Sequence, residues 1–406
     1  MKNRIRLKRL LLLPLLLIMS ITAKAEEVSG ILSDSAQVSI ITCSPGTAIY
    51  ELFGHSGIRI VDKQKGIDEV FNYGLFDFNQ EDFIFRFVRG KTDYMVGSSS
   101  TGYFLSEYIS RGSGVKECVL NLTYTEKLKI FAYLLENSLT ENRTYRYNFI
   151  FNNCATKLRD ILMQNLNGDI NFLYDSSDMT FRDAIKLYTK ESPWSQFGFD
   201  LCLGKGMDRN ATTYEKMFLP EILGATVHNS TIKREGAYTP LTSKYNVIAE
   251  HTLENPSPLI SPLVAAIILL VVVMAVTVWS IIKKRHLRVF DALFFGLNAL
   301  FGCVILFLIL FSKHPFTGAN YNIIWLNPLM GVPVLFLIVK KLRYYEPHYY
   351  IVVSIVLTMF LLLCKDMTQE FNIAVYPLIL TYLIRSASYV IRWGYHLDEG
   401  PEKILS

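Results

Sequence analysis

The spacing of apolar and polar residues divides this chain into a globular part and a membrane part. From Val28 to about Asn246, short apolar runs alternate with polar and turn residues, as they do in folded domains. From Pro262 to Ile282 no residue carries a charge, and about 20 apolar residues are what a helix needs to cross a bilayer. We therefore expect a folded domain over residues 26–255 and a membrane domain over residues 256–406.

The start of the globular part shows the period of two that is typical of β-strands. Strands are predicted at Gln37 to Thr42, Gly54 to Asp62, Asp68 to Gly74 and Lys91 to Val96. A Lys65-Gly66 turn separates the second strand from the third, which predicts a hairpin. His55 and Asn72 would then lie on neighbouring strands.

Other segments repeat their apolar residues every three or four positions, which favours amphipathic helices. Helices are predicted at Asn79 to Val88, at Thr125 to Asn137, from Cys154 onward, and at Phe181 to Tyr188 behind a capping box. The stretch from Trp194 to Arg209 is rich in glycine and is predicted to be irregular. The apolar patch from Met217 to Pro220 is predicted to pack in the core. Together these elements predict a domain of the α+β class.

The helix that begins at Cys154 is preceded by an aromatic, strand-like run from Tyr147 to Phe151 and by two asparagines. Asparagine is a good N-cap residue. A thiol in the first turn of a helix lies at the positive end of the helix dipole, which favours the nucleophilic thiolate. The alternative is a structural role, because free cysteines are often simply buried.

The membrane part contains further apolar stretches. They lie at Val289 to Phe311, Ile323 to Val339, Tyr349 to Leu363 and Ile373 to Ile391. With the first span, these predict about five transmembrane helices. The basic clusters at Lys283 to Arg288 and at Lys340 to Arg343 fall on alternate loops, so the positive-inside rule places the folded domain outside the cytoplasm. Arg385 lies inside the fifth span, where an arginine near the cytoplasmic end can snorkel to the interface.

The N-terminus has the three-part pattern of a secretory signal peptide. Five basic residues precede an apolar run from Leu10 to Ile18, and Ala23-Lys24-Ala25 forms a small-x-small site. We expect cleavage after Ala25, which makes residues 1–25 the signal peptide. An uncleaved anchor is the alternative, and it leaves the next domain on the same side of the membrane.

Composition and charge narrow the function. The chain is 51% hydrophobic, which is too apolar for an ordinary soluble enzyme. The net charge of +5 comes from basic residues that flank apolar segments, so no nucleic-acid partner is expected. The sequence has no paired-cysteine motif, no two-histidine helix motif and no glycine-rich phosphate loop. Neither a metal nor a cofactor is therefore predicted.

Catalysis by a cysteine needs a base within hydrogen-bond reach and a group that orients the base. His55 is the candidate base, and Asn72 is the candidate orienting group, with Tyr73 and Ser56 as alternatives. Backbone amides at the start of the Cys154 helix would hold an oxyanion. Cys43 is the rival nucleophile, but Ser44-Pro45-Gly46 after it predicts a turn rather than a helix start. With Cys154 free, at most one disulfide can form among Cys43, Cys118 and Cys202.

A polar, outward-facing loop runs from Ser312 to Pro328, directly after the second predicted span and into the start of the third. Its His314, Asn320 and Asn322 lie at the depth of lipid headgroups, which suggests contact with a headgroup or a substrate. The alternative is interfacial anchoring, which is common for polar and aromatic residues there.

Several motifs of the globular part resemble the Lnb N-terminal periplasmic domain family. They are Ile41-Thr42-Cys43-Ser44-Pro45-Gly46, Phe53-Gly54-His55-Ser56, Phe71-Asn72-Tyr73-Gly74, Tyr147-Asn148-Phe149 and Asn152-Asn153-Cys154-Ala155-Thr156. In the membrane part, His314-Pro315, Asn320-Tyr321-Asn322 and Trp325-Leu326-Asn327-Pro328 resemble the outward loop of the same family. The histidine-before-cysteine order is also similar to circularly permuted papain-like enzymes of the NlpC/P60 and lecithin:retinol acyltransferase groups.

The resemblance implies a lipoprotein N-acyltransferase in the inner membrane of a Gram-negative cell, with a permuted papain-like exported domain ahead of an all-α transmembrane bundle. Such an enzyme moves a fatty acyl chain from a phospholipid, through a thioester on Cys154, to the α-amine of a diacylglyceryl-cysteine lipoprotein. His55 is the implied base, and Asn72 is the third member that we assign. The predicted substrate-binding residues are Ser56, Arg59, Tyr73, Asn153, His314, Asn320 and Asn322.

Two other functions remain open at the level of sequence. One is a cysteine hydrolase, either a cell-wall peptidase or a phospholipase, although a soluble wall substrate would not require membrane spans. The other is a membrane scaffold that binds lipoproteins without chemistry.

Overall fold

The chain packs into two units, each assembled from separate stretches of the sequence. The computed structural model describes residues 30–77, 81–173, 178–254 and 258–397, and only the backbone of 393–397. The described residues of 1–79, 93–177 and 212–253 form the sheet unit, and those of 80–92, 178–211 and 254–406 form the helical unit. The predicted signal peptide and the predicted boundary at residues 255–256 lie outside the described residues.

Ten strands occur in the sheet unit. They are β1 (Gln37–Cys43), β2 (His55–Asp62), β3 (Ile67–Leu75), β4 (Asp93–Ser100), β5 (Val115–Leu120), β6 (Thr144–Arg146), β7 (Asp169–Asn171), β8 (Thr231–Arg234), β9 (Ala237–Pro240) and β10 (Thr242–Ala249). Seven form an antiparallel sheet in the order β10-β5-β1-β2-β3-β4-β6, and β7-β8-β9 form a second, smaller sheet. The four strands predicted near the start are confirmed. The predicted strand at Tyr147 to Phe151 is wrong, because β6 ends at Arg146 and a turn follows it.

The helices of the described residues are numbered in chain order. They are α1 (Phe83–Val88), α2 (Thr101–Ser110), α3 (Tyr124–Asn137), α4 (Cys154–Asn165), α5 (Phe181–Thr189), α6 (Pro193–Cys202), α7 (Thr213–Lys216), α8 (Pro220–Asn229), α9 (Pro262–Ile282), α10 (Arg288–Phe311), α11 (Val332–Ile338), α12 (Glu346–Leu363) and α13 (Val375–Leu397). The predicted helices at α3, α4 and α5 are confirmed, and the capping box of Thr180 and Asp183 opens α5.

The large sheet is covered on both faces because its strands alternate apolar side chains between them. Ile58 and Phe71 face a core formed with α3, α4 and α8, where the apolar stripe of α4 is buried. Ile41 and Val70 point to the opposite face and pack against α2. The patch from Met217 to Pro220 is buried, as the sequence predicts.

The helical unit contains the apolar spans. Four segments are long and apolar enough to cross a membrane: Pro262–Ile282, Arg288–Phe311, Tyr321–Ile338 and Lys340–Asp366. The fifth predicted span corresponds to α13. The third is not a continuous helix, because two 3-10 turns capped by Asn320 and Asn327 precede α11.

Two expectations about the helical unit are wrong. The stretch from Trp194 to Arg209 is largely helical, because buried Arg182 forms ion pairs with Asp200 at 2.9 Å and with Asp208 at 2.6 Å that fix α6 and the following 3-10 turn. Arg385 does not snorkel: its side chain is fully buried and pairs with Asp291, so the charge is compensated inside the bundle.

Candidate active site

The thiol of Cys154 is held at the first residue of α4 by a reciprocal cap. Asn153 Oδ1 accepts a hydrogen bond from the Thr156 backbone N–H at 2.9 Å, and Thr156 Oγ1 accepts one from the Asn153 N–H at 2.8 Å. The Asn153 amide also donates to the carbonyls of Phe149 at 2.7 Å and Phe218 at 2.8 Å. The helix start is therefore fixed, as the N-cap prediction requires.

His55 and Asn72 meet on the neighbouring strands β2 and β3. The Nε2 atom of His55 donates to Asn72 Oδ1 at 2.6 Å. Since Nε2 is engaged in this way, Nδ1 is the ring nitrogen left for the hydrogen bond between His55 and the Cys154 thiol. The predicted histidine, asparagine and cysteine therefore come together in one cluster.

Gly74 makes room for this cluster. Its φ of +105° lies in a region that side chains rarely adopt. A Cβ atom at this position would lie 3.4 Å from His55 Cε1 and 3.9 Å from Cys154 Cβ. The bare backbone lets the imidazole and the thiol pack against the end of β3.

Burial and charge shift the pKa values of Cys154 and His55 in opposite directions. Burial raises the pKa of the Cys154 thiol, but the His55 charge, the His55 hydrogen bond and the backbone N–H groups of Ser56 and Ala155 outweigh it, so the pKa is lowered. Burial lowers the pKa of His55, but Cys154 and Asn72 outweigh it, so the pKa is raised. The lowered pKa of the thiol and the raised pKa of the imidazole both favour a thiolate beside an imidazolium, and the thiolate is the reactive form of a cysteine nucleophile.

Cys43 lies opposite His55 at the end of β1, so it is close to the same ring. Its side chain is fully buried, and burial raises the pKa of its thiol far above the ordinary value. A neutral thiol is a poor nucleophile, which favours Cys154 over Cys43. Cys43, Cys118 and Cys202 are all free thiols.

The predicted substrate-binding residues of the sheet unit differ in their surroundings. Ser56 and Asn153 adjoin Cys154, and the buried Ser56 Oγ has no hydrogen-bond partner among the described residues. Arg59 forms ion pairs with Asp68 and Glu117, whereas the hydroxyl of the buried Tyr73 donates to Asn137 at 2.7 Å. Substrate contact by these residues stays a prediction.

The three predicted loop residues belong to the helical unit, where each bonds to protein groups. Asn320 donates to the Leu201 carbonyl at 2.6 Å, and Asn322 donates to the Asp200 carbonyl at 3.0 Å. The His314 ring bonds to the Phe87 carbonyl at 2.5 Å. Their contact with a substrate also stays a prediction.

Two neighbours of the site escaped the sequence analysis. The Tyr108 ring stacks on the His55 ring with centroids 5.9 Å apart. A row of aromatic rings also runs through Tyr147, Tyr94 and Phe76, with centroid separations of 4.0 and 4.8 Å. Tyr108 lies on α2 and gives no local signal, whereas the aromatic residues are visible in the sequence but their stacking is not.

The fold and the cluster define a class: a membrane protein whose sheet unit carries a cysteine thiol hydrogen-bonded to a histidine. Comparison with protein families matches residues 30–190 to the Lnb N-terminal periplasmic domain and residues 254–394 to the Lnb transmembrane domain. These matches cover most of the chain, which therefore belongs to the Lnb family and is a lipoprotein-related membrane protein with an exported domain. No curated protein and no solved structure matches the chain significantly.

Proposed function

We propose that this protein is a lipoprotein N-acyltransferase of the inner membrane that works through an acyl thioester on Cys154. The observation that carries the proposal is the Cys154–His55–Asn72 cluster in a chain that also has apolar spans. Both substrates, a phospholipid and a diacylated lipoprotein, are held in a bilayer. A thiol enzyme anchored in the same bilayer suits them.

In the first half of the reaction, the Cys154 thiolate attacks the carbonyl carbon of a phospholipid ester. A C–S bond forms, and the C–O bond to glycerol breaks when His55 gives its proton to the leaving oxygen. The products are the acyl thioester and a lysophospholipid. In the second half, the lipoprotein α-amine attacks the thioester, neutral His55 takes a proton from the amine, and the sulfur leaves as thiolate with an amide as product.

Asn72 and the backbone have supporting roles in this scheme. Asn72 keeps His55 oriented so that Nδ1 faces the sulfur. The N–H groups of Ser56 and Ala155 point at the sulfur of Cys154, and donors in this position are suited to the oxyanion that forms on the attacked carbonyl. No metal or cofactor enters either step.

The aromatic row beside the site suits an acyl chain. Tyr147 and Tyr94 stack close to Cys154, and the row continues through Phe76 to Tyr50, which is 62% exposed. Ile49 beside it is 63% exposed. We assign these side chains to contact with the hydrocarbon of the donor, because burial of methylene groups against them is favourable.

The proposal includes a permuted papain-like fold for the exported domain. In that arrangement the nucleophile begins a helix that packs on an antiparallel sheet, and the base and its orienting residue lie on earlier strands. The positions of α4, β2 and β3 are compatible with it.

A reconstituted assay tests the function. Full-length protein is placed in vesicles whose phosphatidylethanolamine carries a labelled acyl chain. A labelled, hydroxylamine-sensitive adduct is expected on Cys154, and a diacylated lipopeptide should receive the label as a hydroxylamine-resistant amide. Cys154→Ala should abolish both products, whereas Cys303→Ala, which removes an exposed cysteine on α10, should abolish neither.

Other outcomes identify the alternatives. Release of labelled fatty acid with no transfer to the lipopeptide indicates a hydrolase. Lipopeptide binding without any adduct, at every lipid composition tried, indicates a scaffold. In cells, unchanged lipoprotein N-termini after deletion of the gene would contradict the transferase proposal if no second enzyme of this activity is present.

A further inference from the structure

The short helix α1 presents apolar side chains that the helical unit leaves uncovered. Ile84 is 77% exposed, Phe85 is 51% exposed and Phe87 is 38% exposed. We name these three side chains the α1 patch. Large apolar side chains gathered in this way on one short helix mark a contact surface.

The backbone around α1 is fixed to the residues that directly follow α10. The Lys313 N–H donates to the Arg89 carbonyl, and the Ser312 hydroxyl donates to the Val88 carbonyl, both at 2.9 Å. Gly90 permits this contact, because a Cβ there would lie 2.8 Å from the His314 nitrogen. The α1 patch is therefore held level with the Phe311 end of a membrane-spanning helix.

The α1 patch is continuous with the lipid-facing surface of α10. The Phe85 ring lies 6.0 Å from the Phe307 ring, which lies 5.3 Å from the Phe311 ring. Leu310 and Phe311 are 62% and 53% exposed on a helix apolar enough to cross a membrane, so both side chains are suited to contact with hydrocarbon. A hydrocarbon layer that covered Phe307 and Phe311 would also reach Phe85.

Basic groups accompany the patch. The Arg89 guanidinium lies 5.4 Å from the centre of the Phe85 ring, and the buried Nε of Arg89 has no hydrogen-bond partner among the described residues. Lys91 and Lys313 follow in the two paired segments. Aromatic residues beside lysine and arginine are typical of the zone between hydrocarbon and lipid phosphates.

We propose that α1 is an interfacial element and that the α1 patch inserts into the phospholipid leaflet at the Phe311 end of α10. The ligand is a lipid surface rather than a protein. This inference does not depend on the acyl-transfer reaction.

Photocrosslinking in vesicles tests the insertion. The residue p-benzoylphenylalanine replaces Ile84 in the full chain, which is reconstituted in phosphatidylethanolamine and phosphatidylglycerol and irradiated. Leu300 on α10 and Tyr238 on β9, each 61% exposed, are the positive and negative control positions. We expect a phospholipid adduct at Ile84 close to that at Leu300 and about tenfold above that at Tyr238, as for a side chain in the interface.

A second variant checks that the adduct at Ile84 depends on the position of α1 and not on the label itself. Gly90→Val separates α1 from the Lys313–His314 backbone, so it should lower the adduct at Ile84 and leave the adduct at Leu300 unchanged. An Ile84 adduct no larger than that at Tyr238 would overturn the insertion. Crosslinking of two copies through Ile84 in place of lipid would overturn it as well, because it would make the patch a protein interface.

Discussion

Burial and charge act on the Cys154 thiol in opposite directions, and the charge of His55 decides the outcome. Where burial outweighs the nearby positive charge a thiol stays protonated, as at Cys43, whose pKa is raised by burial despite the charge of Arg111. The hydrogen bond from His55 to Asn72 matters because it orients the ring and adds to the raised pKa of the imidazole.

The pH dependence of Cys154 alkylation follows from these directions. Because the pKa of the thiol is lowered and that of His55 is raised, the ion pair exists between the two values, and iodoacetamide should react below the ~8.5 of a free thiol. His55→Ala removes the cation but not the burial, so the midpoint should move to higher pH. Mass spectrometry of the Cys154 peptide measures the rate, with free glutathione in the same solution as the control for the reagent. An identical midpoint in the variant would contradict the ion pair.

Gly74→Ala tests the room beside the cluster. The φ of +105° is strained for alanine, and the new Cβ would lie 3.4 Å from His55 Cε1. We expect a loss of about 1–3 kcal/mol in the free energy of unfolding together with slower alkylation of Cys154. Gly66→Ala, which has a φ of +69° but no atom within 4 Å of its Cβ, is the matched control for backbone strain alone. Equal alkylation rates in the two variants would show that the cluster does not need the space.

The helix α4 presents its first residue to the sheet because of its cap. Asn153→Ala removes the N-cap and two further hydrogen bonds, to Phe149 and to Phe218. We expect thermal unfolding to show a loss of about 1–2 kcal/mol and the Cys154 pKa to rise as the helix start frays. Thr123→Ala removes the corresponding cap of α3, so it should destabilise by a similar amount without changing alkylation of Cys154. An unchanged Cys154 pKa in the Asn153→Ala variant would show that the cap does not contribute to the reactivity of the thiol.

Within the helical unit, the Arg385 side chain links its own helix α13 to α9 and α10. It pairs with Asp291 of α10 and bonds to Ser280 of α9 at 3.0 Å, while Tyr389 also bonds to Asp291. Buried ion pairs are costly to break but are often replaceable by apolar residues of similar size.

A double-mutant cycle of Arg385 and Asp291 tests whether the two buried charges compensate each other. Arg385→Met and Asp291→Leu should each destabilise the detergent-solubilised protein by about 3–5 kcal/mol, because each leaves a buried charge unpaired. The double variant should recover most of that loss, and thermal unfolding monitored by helix signal measures all three. The more exposed pair of Arg146 and Asp93 in the sheet unit is the control, since its loss should cost about 1 kcal/mol or less. Additive effects of the two helical-unit variants would mean that the residues do not compensate each other.

Local sequence determined much of what surrounds the site. The alternation of apolar residues identified β1 to β4, the asparagine cap located the start of α4, and 3.6-residue periodicity identified α3 and α5. Each of these signals depends on residues within one turn or one strand, so no long-range information is needed. The pairing of His55 with Asn72 also followed, because a short hairpin brings its two strands together.

Tertiary structure decided the rest, since the deciding contacts join residues far apart in the sequence. The helix α6 depends on buried Arg182, and Arg385 finds Asp291 instead of snorkelling. The membership of α1 in the helical unit depends on hydrogen bonds to Ser312 and Lys313. By itself, the sequence placed a cysteine at a helix start and a histidine on a strand. The reactive direction of both pKa values arose only when packing brought the two side chains together, because charge acts over distance in space and not along the chain.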